Sequence, residues 1–479
     1  LRQSAEQFEG VQPSNVDQSR PLGSGRTQRL FSYVEHGERR SRPILIRGGR
    51  VVDPSQGLDA VADVLVMGDQ VAALGVGLPE PEGAEVVDAS GLVVTPGLVD
   101  VHVHLRDPGF PEKETLETGA AAAVRGGFTT VCCMPNTNPA LDTPERVADV
   151  VERAAGLPVR VYPIGAISIG RAGTEPADWA GMAAAGAIGF SDDGDSTRSS
   201  AVMRQALAWS AESGLPIMVH AEDWTLAPGG VMHEGDVSRE LDLPGIPAAA
   251  EEIITGRDIE IARLTGGWLH VLHVSTARAL GMVRAAKRDG VRVTAEVMPH
   301  HLLLTDEWVA GRRRFVWEDT VVPGPRPDPN AKGNPPLRPA ADARALLEGV
   351  TDGTFDVIAT DHAPHAAPDK PTDLRRAASG MIGLDVALPL LWRLVEAGRL
   401  PLMTVIDRLS TAPARLFGLP GGSLRPGSVA DLTVFDPAAE WVVSPETIAS
   451  KSKNTPLLGM TLRGAVRLTM IAGEVRYRG

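Results

Sequence analysis

VVTPGLVDVHVHL, residues 93–105, is the stretch that decides the predicted fold. After the turn at Pro96-Gly97 its apolar residues predict a strand that carries two histidines, His102 and His104, one residue apart. Side chains of a strand alternate between its two faces, so both imidazoles point the same way. Two neutral imidazoles on one face can bind a metal ion, but an isolated HxH is as often a pair held by ordinary hydrogen bonds. The residues that follow the other strands decide between these interpretations.

The composition is that of a soluble globular protein. The chain has 479 residues, of which 43% are hydrophobic and 22% are charged. A net charge of −13 without a long basic run argues against nucleic acid or an anionic membrane as the main partner, and no apolar segment approaches the length of a membrane span. The two cysteines, Cys132 and Cys133, are adjacent and would point to opposite faces of a strand, so an internal disulfide is excluded. These features predict a soluble, cytoplasmic protein.

The middle of the chain alternates apolar strands with alanine-rich helical stretches. Eight strands are predicted, at residues 98–105, 129–136, 159–169, 187–193, 216–223, 268–276, 291–298 and 355–362. Helical patterns between them end in glycine, as in SSAVMRQALAWSAESG at 199–214. This alternation predicts a (β/α)8 barrel of the TIM type over residues 93–425. A doubly wound sheet is the alternative, but no GxGxxG follows the first strand.

The two ends of the chain have a different pattern. Residues 1–42 are polar and turn-rich, which predicts a loosely ordered extension. Residues 43–92 and 426–479 carry short strand-like runs separated by glycine, aspartate and proline. We therefore expect them to form one composite β-domain, a small sandwich-like satellite of the barrel.

Polar residues follow seven of the predicted strands. In a barrel of this class the active site lies at the carboxyl ends of the strands, and here those ends carry His102, His104 and Arg106; Asn136; Asp192 and Asp193; His220; His273; His300 and His301; and Asp361, His362 and His365. This set of imidazoles and carboxylates suits two divalent ions with a bridging anion. In many sites of this kind the bridging ligand is a carboxylated lysine, but here no lysine lies between Lys113 and Lys287. The bridge must therefore be a carboxylate, and SDDG at 191–194 supplies one.

Other histidines have simpler interpretations. His36 lies in the extension and His233 in a polar loop, so both are expected to be solvated. His270, three residues before His273, should face the opposite side of its strand and be packed. His300 and His301 are adjacent, so at most one faces inward, and neither receives a role.

The chain resembles the class I (type I) dihydroorotases of the amidohydrolase superfamily from about residue 43 to its end. HVHLRDPG, MPNTNP and TDHAPH together are highly specific. The matching stretches are DVHVHLRDPG (100–109), ETGAAAAVRGGFTTVCCMPNTNP (117–139), GFSDDG (189–194), HAEDWTL (220–226), HVLHVSTARAL (270–280), TAEVMPHHLLLT (294–305), NPPLR (334–338) and ATDHAPH (359–365).

The resemblance implies two Zn²⁺ ions per subunit, bridged by Asp193 and a hydroxide, with Asp192 the less favoured bridge. His102 and His104 with Asp361 would bind one ion, and His220 with His273 the other. Asp361 would also be the catalytic proton shuttle. The implied substrate-binding residues are His104, Arg106, Asn136, Asn334, His365, Ser379 and Gly380.

The activity implied is the reversible interconversion of N-carbamoyl-L-aspartate and L-dihydroorotate in de novo pyrimidine biosynthesis. The resemblance also implies a homodimer and a complex with aspartate transcarbamoylase. One alternative is a hydantoinase or allantoinase, but their substrates lack the carboxylate that Arg106, Asn136 and His365 would bind. The other is a metal-free scaffold partner of aspartate transcarbamoylase, but such a protein should have lost metal ligands. Two stretches depart from the family pattern. Residues 366–385, which are predicted to cover the substrate, carry Ser379 and Asp385 as unusual residues. Residues 312–333 are an Arg- and Pro-rich insertion.

Overall fold

The computed structural model describes residues 42–479, and within them strands and helices form an α/β protein. The predicted extension, residues 1–42, lies outside the described residues except for Arg42. The strands are β1 (Ile44–Asp53), β2 (Leu58–Met67), β3 (Gln70–Gly75), β4 (Glu85–Asp88), β5 (Val93–Pro96), β6 (Leu98–Val103), β7 (Phe128–Cys133), β8 (Arg160–Pro163), β9 (Phe190–Ser191), β10 (Ile217–Val219), β11 (Met232–His233), β12 (Gly245–Ile246), β13 (Leu269–Val271), β14 (Val293–Val297), β15 (Arg312–Arg313), β16 (Val322–Pro323), β17 (Val357–Ile358), β18 (Leu432–Val442), β19 (Thr461–Ile471) and β20 (Glu474–Arg478). The α-helices are α1 (Leu116–Arg125), α2 (Pro144–Ala154), α3 (Trp179–Ala185), α4 (Ser200–Ser213), α5 (Asp236–Glu240), α6 (Ala248–Thr265), α7 (Ala277–Arg288), α8 (Pro299–Leu303), α9 (Ala340–Thr351), α10 (Ala387–Glu396), α11 (Leu402–Ile406) and α12 (Ala412–Phe417).

Strands from both ends of the described chain form one eight-stranded sheet. Its order is β20-β19-β18-β5-β1-β2-β3, with β4 paired to β1. Neighbours are antiparallel except that β4 and β5 run parallel to β1. β5, which the sequence prediction assigned to the middle region, pairs here with β18, Val94 lying opposite Val434. Apolar side chains on one face of this sheet pack as a separate cluster, as the period-two pattern of its strands requires.

All eight strands predicted for the middle region are present and parallel to their neighbours. β6, β7 and β8 form one sheet, and β9, β10, β13, β14 and β17 form another. Two isolated parallel bridges lie between these sheets, from Gly165 to Phe190 and from Val103 to His362. A cluster of buried side chains draws at least one member from each strand or the residues beside it, including Val101, Met218 and Val357.

Helices between these strands begin and end where the sequence predicts. Thr115, Ser199 and Thr276 cap the amino termini of α1, α4 and α7 by accepting a hydrogen bond from the backbone three residues ahead. Gly214 ends α4 in the left-handed conformation, with a φ of 76°.

The adjacent cysteines behave as the sequence predicts. Both are free and buried, and Cys132 and Cys133 belong to two different hydrophobic clusters because β7 turns them to opposite faces. In the described part of the chain, helices of membrane-spanning length and hydrophobicity are absent.

Candidate metal centre

Four histidines and one aspartate meet at the carboxyl ends of the parallel strands. The ligand atoms of His102, His104 and Asp193 lie within 4.8 Å of one another, and those of Asp193, His220 and His273 form a second such group. All five side chains are buried, none more than 4% exposed. We call these five residues the cage. Asp193 belongs to both groups, which is the arrangement expected of a bridging ligand.

The two carboxylate oxygens of Asp193 face different histidines. Oδ2 lies 3.5 Å from His102 Nε2 and 3.4 Å from His104 Nε2. Oδ1 lies 3.2 Å from His273 Nε2 and 3.5 Å from His220 Nδ1. Although burial opposes ionisation, the neighbouring histidines hold the pKa of Asp193 well below its usual value.

Asp192 has a different environment from that of Asp193. Its carboxylate accepts hydrogen bonds from the backbone and hydroxyl of Ser168, at 2.9 and 2.6 Å, and from the hydroxyl of Thr197 at 2.9 Å. These donors lie on the loops beside β9, so the carboxylate of Asp192 holds the loops together.

Asp361 lies beside the first histidine pair. Its Oδ1 is 2.9 Å from His104 Nε2 and 3.5 Å from His102 Nε2, and the residue is 8% exposed. The backbone φ of Asp361 is 47°, a left-handed conformation that is unfavourable for aspartate and that also occurs at Arg106 (59°) and His273 (30°). Strained backbone of this kind concentrates at functional sites.

The donor set fits a metal ion. His102 Nε2 is completely buried and has no hydrogen-bond partner in the described residues, the nearest carboxylate oxygens being 3.5 Å away. Such an atom costs about 1–3 kcal/mol unless something binds it. Imidazole nitrogens and carboxylate oxygens are the ligands that zinc and similar divalent ions prefer. The cage and Asp361 can therefore hold a metal.

Glu296, on β14, supports the cage and received no role from the sequence. It is fully buried, and its Oε1 accepts a hydrogen bond from His102 Nδ1 at 2.6 Å. The same oxygen accepts the backbone N–H of His273 at 3.3 Å. Although burial opposes ionisation, the facing histidines lower the pKa of Glu296 to about 2. This contact fixes the proton of His102 on Nδ1 and leaves Nε2 for the cage. The only sequence feature that could have indicated this role of Glu296 is its position as a carboxylate inside the apolar strand TAEVM.

The residues predicted to bind a carboxylate also lie together. Arg106 is buried; its Nε donates to the carbonyl of Pro364 at 3.1 Å, and its Nη2 is 3.3 Å from His365 Nε2. Asn136 Oδ1 accepts from His104 Nδ1 at 2.7 Å. β6 ends at Val103, so Arg106 lies beyond the strand, and its backbone is left-handed, with a φ of 59°.

Ser379 and Gly380 contact His365 through the main chain. His365 Nε2 donates to the carbonyl oxygen of Ser379 at 2.8 Å. Gly380 has a φ of 131°, and a Cβ added there would lie 2.7 Å from the Cβ of Ala363. Only glycine fits this position, so the loop is packed closely onto the segment that carries His365.

Asn454 ties these two segments together from a distant part of the chain. Its Oδ1 accepts the backbone N–H of His365 at 2.9 Å, and its Nδ2 donates to the carbonyls of Ala363 and Gly380 at 3.0 and 3.1 Å. The amide thus fixes the spacing between His365 and Gly380. Nothing in the sequence indicates this contact, because Asn454 lies 89 residues after His365.

Two buried lysines hold the backbone of the divergent loop at 366–385. Lys332 Nζ donates to the carbonyls of Leu374 and Ala377, at 2.8 and 2.6 Å. Lys370 Nζ donates to the carbonyl of Ala378 at 2.8 Å. Burial and the charge of Lys332 lower the pKa of Lys370 to about 7. Asp385, the other unusual residue of this loop, accepts the backbone N–H of Ala449 at 2.6 Å and is an anchor remote from the cage.

The pKa of Lys370 predicts a pH dependence of stability. In the unfolded chain a lysine titrates near 10.4, so between about pH 7 and that value the unfolded state binds more protons, and stability rises with pH. Below pH 7 Lys370 is charged in both the folded and the unfolded state, so the free-energy cost of burying its charge no longer changes with pH. We expect the free energy of unfolding of the wild type, minus that of Lys370→Met, to rise by up to about 1.4 kcal/mol per pH unit above pH 7. Urea unfolding of both proteins at pH 7, 8 and 9 measures this, and a difference independent of pH would contradict it.

Arg171 is a second basic residue of the site that the sequence did not single out. Its guanidinium donates to the carbonyl oxygen of Asp193 and lies 3.2 Å from the carboxylate of Asp195. A Cβ added to Gly194 would lie 3.2 Å from both Arg171 Nη1 and Asn136 Nδ2, so the two side chains meet over this glycine. Arg171 therefore fixes the main chain of Asp193 beside Asn136.

The remaining histidines follow the predictions only in part. His270 is buried and packed as expected, with its Nδ1 2.8 Å from the hydroxyl of Thr294. The prediction that His233 is solvated is wrong, because it is half-buried and accepts a hydrogen bond from Arg338 at 3.1 Å. His300 and His301 are both buried in α8, and His301 Nε2 donates to the carbonyl of Pro335 at 3.1 Å. His36 lies outside the described residues.

Comparison with known family models and solved structures shows the class of protein to which the chain belongs. Residues 91–279 match the profile of a family described as Dihydro-orotase-like, and residues 272–477 match that of the Amidohydrolase family. Among solved structures, the L-hydantoinase (dihydropyrimidinase) from Arthrobacter aurescens has a TM-score of 0.78 at 27% identity, over 90% of this chain and 95% of that one. A D-hydantoinase (dihydropyrimidinase) from Thermus sp. has a TM-score of 0.74 at 26% identity, over 91% and 95%. Fold and site together are those of an amidohydrolase.

Curated proteins of similar sequence show the particular family within this class. A dihydroorotase from Geobacter metallireducens is 46% identical over 91% of this chain and 99% of its own length, and one from Anaeromyxobacter dehalogenans is 47% identical over 90% and 97%. The chain therefore belongs to the dihydroorotase family.

Proposed function

We propose that the chain is a metal-dependent dihydroorotase of class I, which interconverts N-carbamoyl-L-aspartate and L-dihydroorotate in pyrimidine biosynthesis. The observation that carries the proposal is the cage beside a buried arginine: a hydrolytic centre next to a cation suited to the substrate's carboxylate. The family membership supports it.

We also propose that the eight parallel strands close into a (β/α)8 barrel with the eight-stranded sheet as a satellite, divided as the sequence predicts except at β5. The two parallel bridges between the strand sheets and the shared inner cluster support this. The homodimer, the complex with aspartate transcarbamoylase and the cytoplasmic location stay predictions.

The proposed metal ligands are the cage and Asp361. His102 and His104 with Asp361 would hold one Zn²⁺, and His220 with His273 the other, with Asp193 as the ligand common to both groups. When bound, such ions lower the pKa of water and polarise an amide carbonyl.

The remaining chemistry belongs to the side chains. Asp361 accepts the proton of the attacking water and returns it to the ring nitrogen as the amide C–N bond breaks, acting first as base and then as acid. Arg106 binds the substrate's carboxylate, since a guanidinium can form two parallel hydrogen bonds to it. Asn136 and His365 complete this clamp, and Asn334 with the backbone of Ser379 and Gly380 holds the ring. Asp361, Arg106 and His365 are buried, which limits the access of bulk water to the proton transfer.

The test is the substrate preference of the metal-loaded protein. Metal content is measured first, and then hydrolysis of dihydroorotate and of hydantoin is compared under one set of conditions. We expect kcat/KM to be at least about 100-fold higher for dihydroorotate, because only that substrate engages the buried arginine. A hydantoinase, favoured by the structural neighbours, would show the reverse order, and a scaffold protein would hold no metal and turn over neither substrate.

Replacing Arg106 with methionine tests the carboxylate clamp. We expect kcat/KM for dihydroorotate to fall by about 100-fold, which corresponds to about 2.7 kcal/mol of transition-state binding. Any residual hydrolysis of hydantoin should be unchanged, because that substrate has no carboxylate. An equal loss on both substrates would mean that Arg106 supports the fold of the site. Arg288→Met, at the exposed carboxyl end of α7, serves as the surface control.

A further inference from the structure

We infer that Glu222 is a positioning residue that links metal binding to ring binding, because one of its oxygens orients both His220 and Asn334. Oε2 lies 3.1 Å from His220 Nε2 and accepts a hydrogen bond from Asn334 Nδ2 at 2.8 Å. The inference rests on the proposed function, which makes His220 a metal ligand and Asn334 a ring-binding residue.

The local backbone brings Glu222 to the same side as His220. Both follow β10, and the hydroxyl of Ser196 bridges them: it donates to the carbonyl of His220 at 2.6 Å and accepts the backbone N–H of Glu222 at 2.9 Å. Glu222 is only 6% exposed. A buried carboxylate clamped in this way has little freedom to leave its two partners.

Glu222 determines which nitrogen of His220 faces the cage. Since Nε2 donates to the carboxylate, Nδ1 is left for the metal side, where it lies 2.9 Å from His273 Nε2 and 3.5 Å from Asp193 Oδ1. A carboxylate behind a histidine ligand fixes the ring and makes the ligand more basic, and loss of such a partner costs about 10- to 100-fold in metal affinity.

The same carboxylate determines the orientation of Asn334. The amide nitrogen of Asn334 is held by Glu222, so its carbonyl oxygen is the atom that can accept a hydrogen bond from a ring N–H. Asn334 Nδ2 also lies 3.4 Å from His220 Nε2, which places the three side chains in one contact. A shift of Glu222 therefore moves a metal ligand and a ring-binding group together.

The experiment measures zinc affinity and steady-state kinetics on dihydroorotate for the full chain. The variants are Glu222→Ala, Glu222→Gln, Asn334→Ala and the double variant of Glu222→Ala with Asn334→Ala; Glu252→Ala, on α6, is the control. Zinc affinity is determined by competition with a chromogenic chelator, which needs no turnover.

We expect Glu222→Ala to weaken zinc binding by about 10- to 100-fold and to raise KM. Asn334→Ala should raise KM but leave zinc affinity within about twofold, because it touches the metal side only through Glu222 and His220. In the double variant KM should be close to that of Asn334→Ala alone, since the two residues act as a unit. Glu222→Gln should recover most of the zinc affinity, because the glutamine oxygen can accept both hydrogen bonds.

Glu222→Ala binding zinc like the wild type would overturn the inference. So would a double variant whose KM is the product of the two single effects. Zinc lost equally in the alanine and glutamine variants would instead make Glu222 a direct ligand, which also rejects a positioning role. If the wild type binds zinc but does not hydrolyse dihydroorotate, the proposed function fails, while the zinc measurements still decide the contact between Glu222 and His220.

Discussion

Replacing Asp361 with asparagine is expected to lower kcat for dihydroorotate by about 1,000-fold while the protein keeps most of its metal. General acid–base groups contribute about 100- to 10,000-fold to enzymatic rates, and Asp361 is the carboxylate that we propose as the proton carrier. It lies 2.9 Å from His104 Nε2, is almost fully buried and has a strained left-handed backbone. Asparagine keeps the shape and one oxygen ligand but cannot accept a proton.

Two measurements isolate this effect. Metal content per chain separates a lost proton carrier from a lost ligand, and thermal unfolding reports on the fold. The exposed Asp352→Asn serves as the matched control. Near-normal kcat in the Asp361 variant would refute the shuttle role, and loss of metal together with loss of rate would make Asp361 a ligand alone.

Asparagine at position 193 is expected to remove metal, whereas asparagine at position 192 is not. Each oxygen of Asp193 faces a different histidine pair, so its substitution weakens both halves of the cage at once. We expect the metal content of Asp193→Asn to fall below half of the wild-type value and kcat/KM to fall by more than about 100-fold. Asp192→Asn should keep its metal but unfold at a lower temperature, since it loses charge-assisted hydrogen bonds with Ser168 and Thr197.

The two substitutions control for each other, because they are adjacent, equally buried and chemically identical. Metal analysis after dialysis against a weak chelator gives the occupancy, and calorimetry gives the unfolding temperature. The opposite order of metal loss would show that Asp192 is the bridge. Equal losses would show that the loop, and not the individual carboxylate, holds the site.

The sequence predicts the parallel strands and the histidines at their ends because both depend on local patterns. Alternation of strands and helices identifies the eight parallel strands of the middle region, and the HxH spacing places His102 and His104 on one side. These strands are β6, β7, β8, β9, β10, β13, β14 and β17. The order of pairing in the eight-stranded sheet depends instead on contacts between distant segments. The pairing of β5 with β18 across more than 300 residues has no local signature.

The supporting groups of the site escape sequence reasoning for the same reason. Glu296 sits in a strand and Glu222 in a loop, and each looks like an ordinary acidic residue until its partner is known. Arg106 lies beyond the end of β6 and has a left-handed backbone, which the simple alternation of a strand does not predict. Metal ligands can be inferred from residue type and spacing, whereas the partners that orient them are recognised only from contacts.

The hydrogen bonds of Asn454 bear on when during synthesis the protein can become active. The cage and Asp361 precede Asn454 in the chain, and the amide that sets His365 against Gly380 comes 89 residues after His365. A nascent chain that ends before Asn454 therefore contains every proposed metal ligand but lacks the contact that sets the spacing of the carboxylate clamp, so this clamp is the last part of the site to be completed.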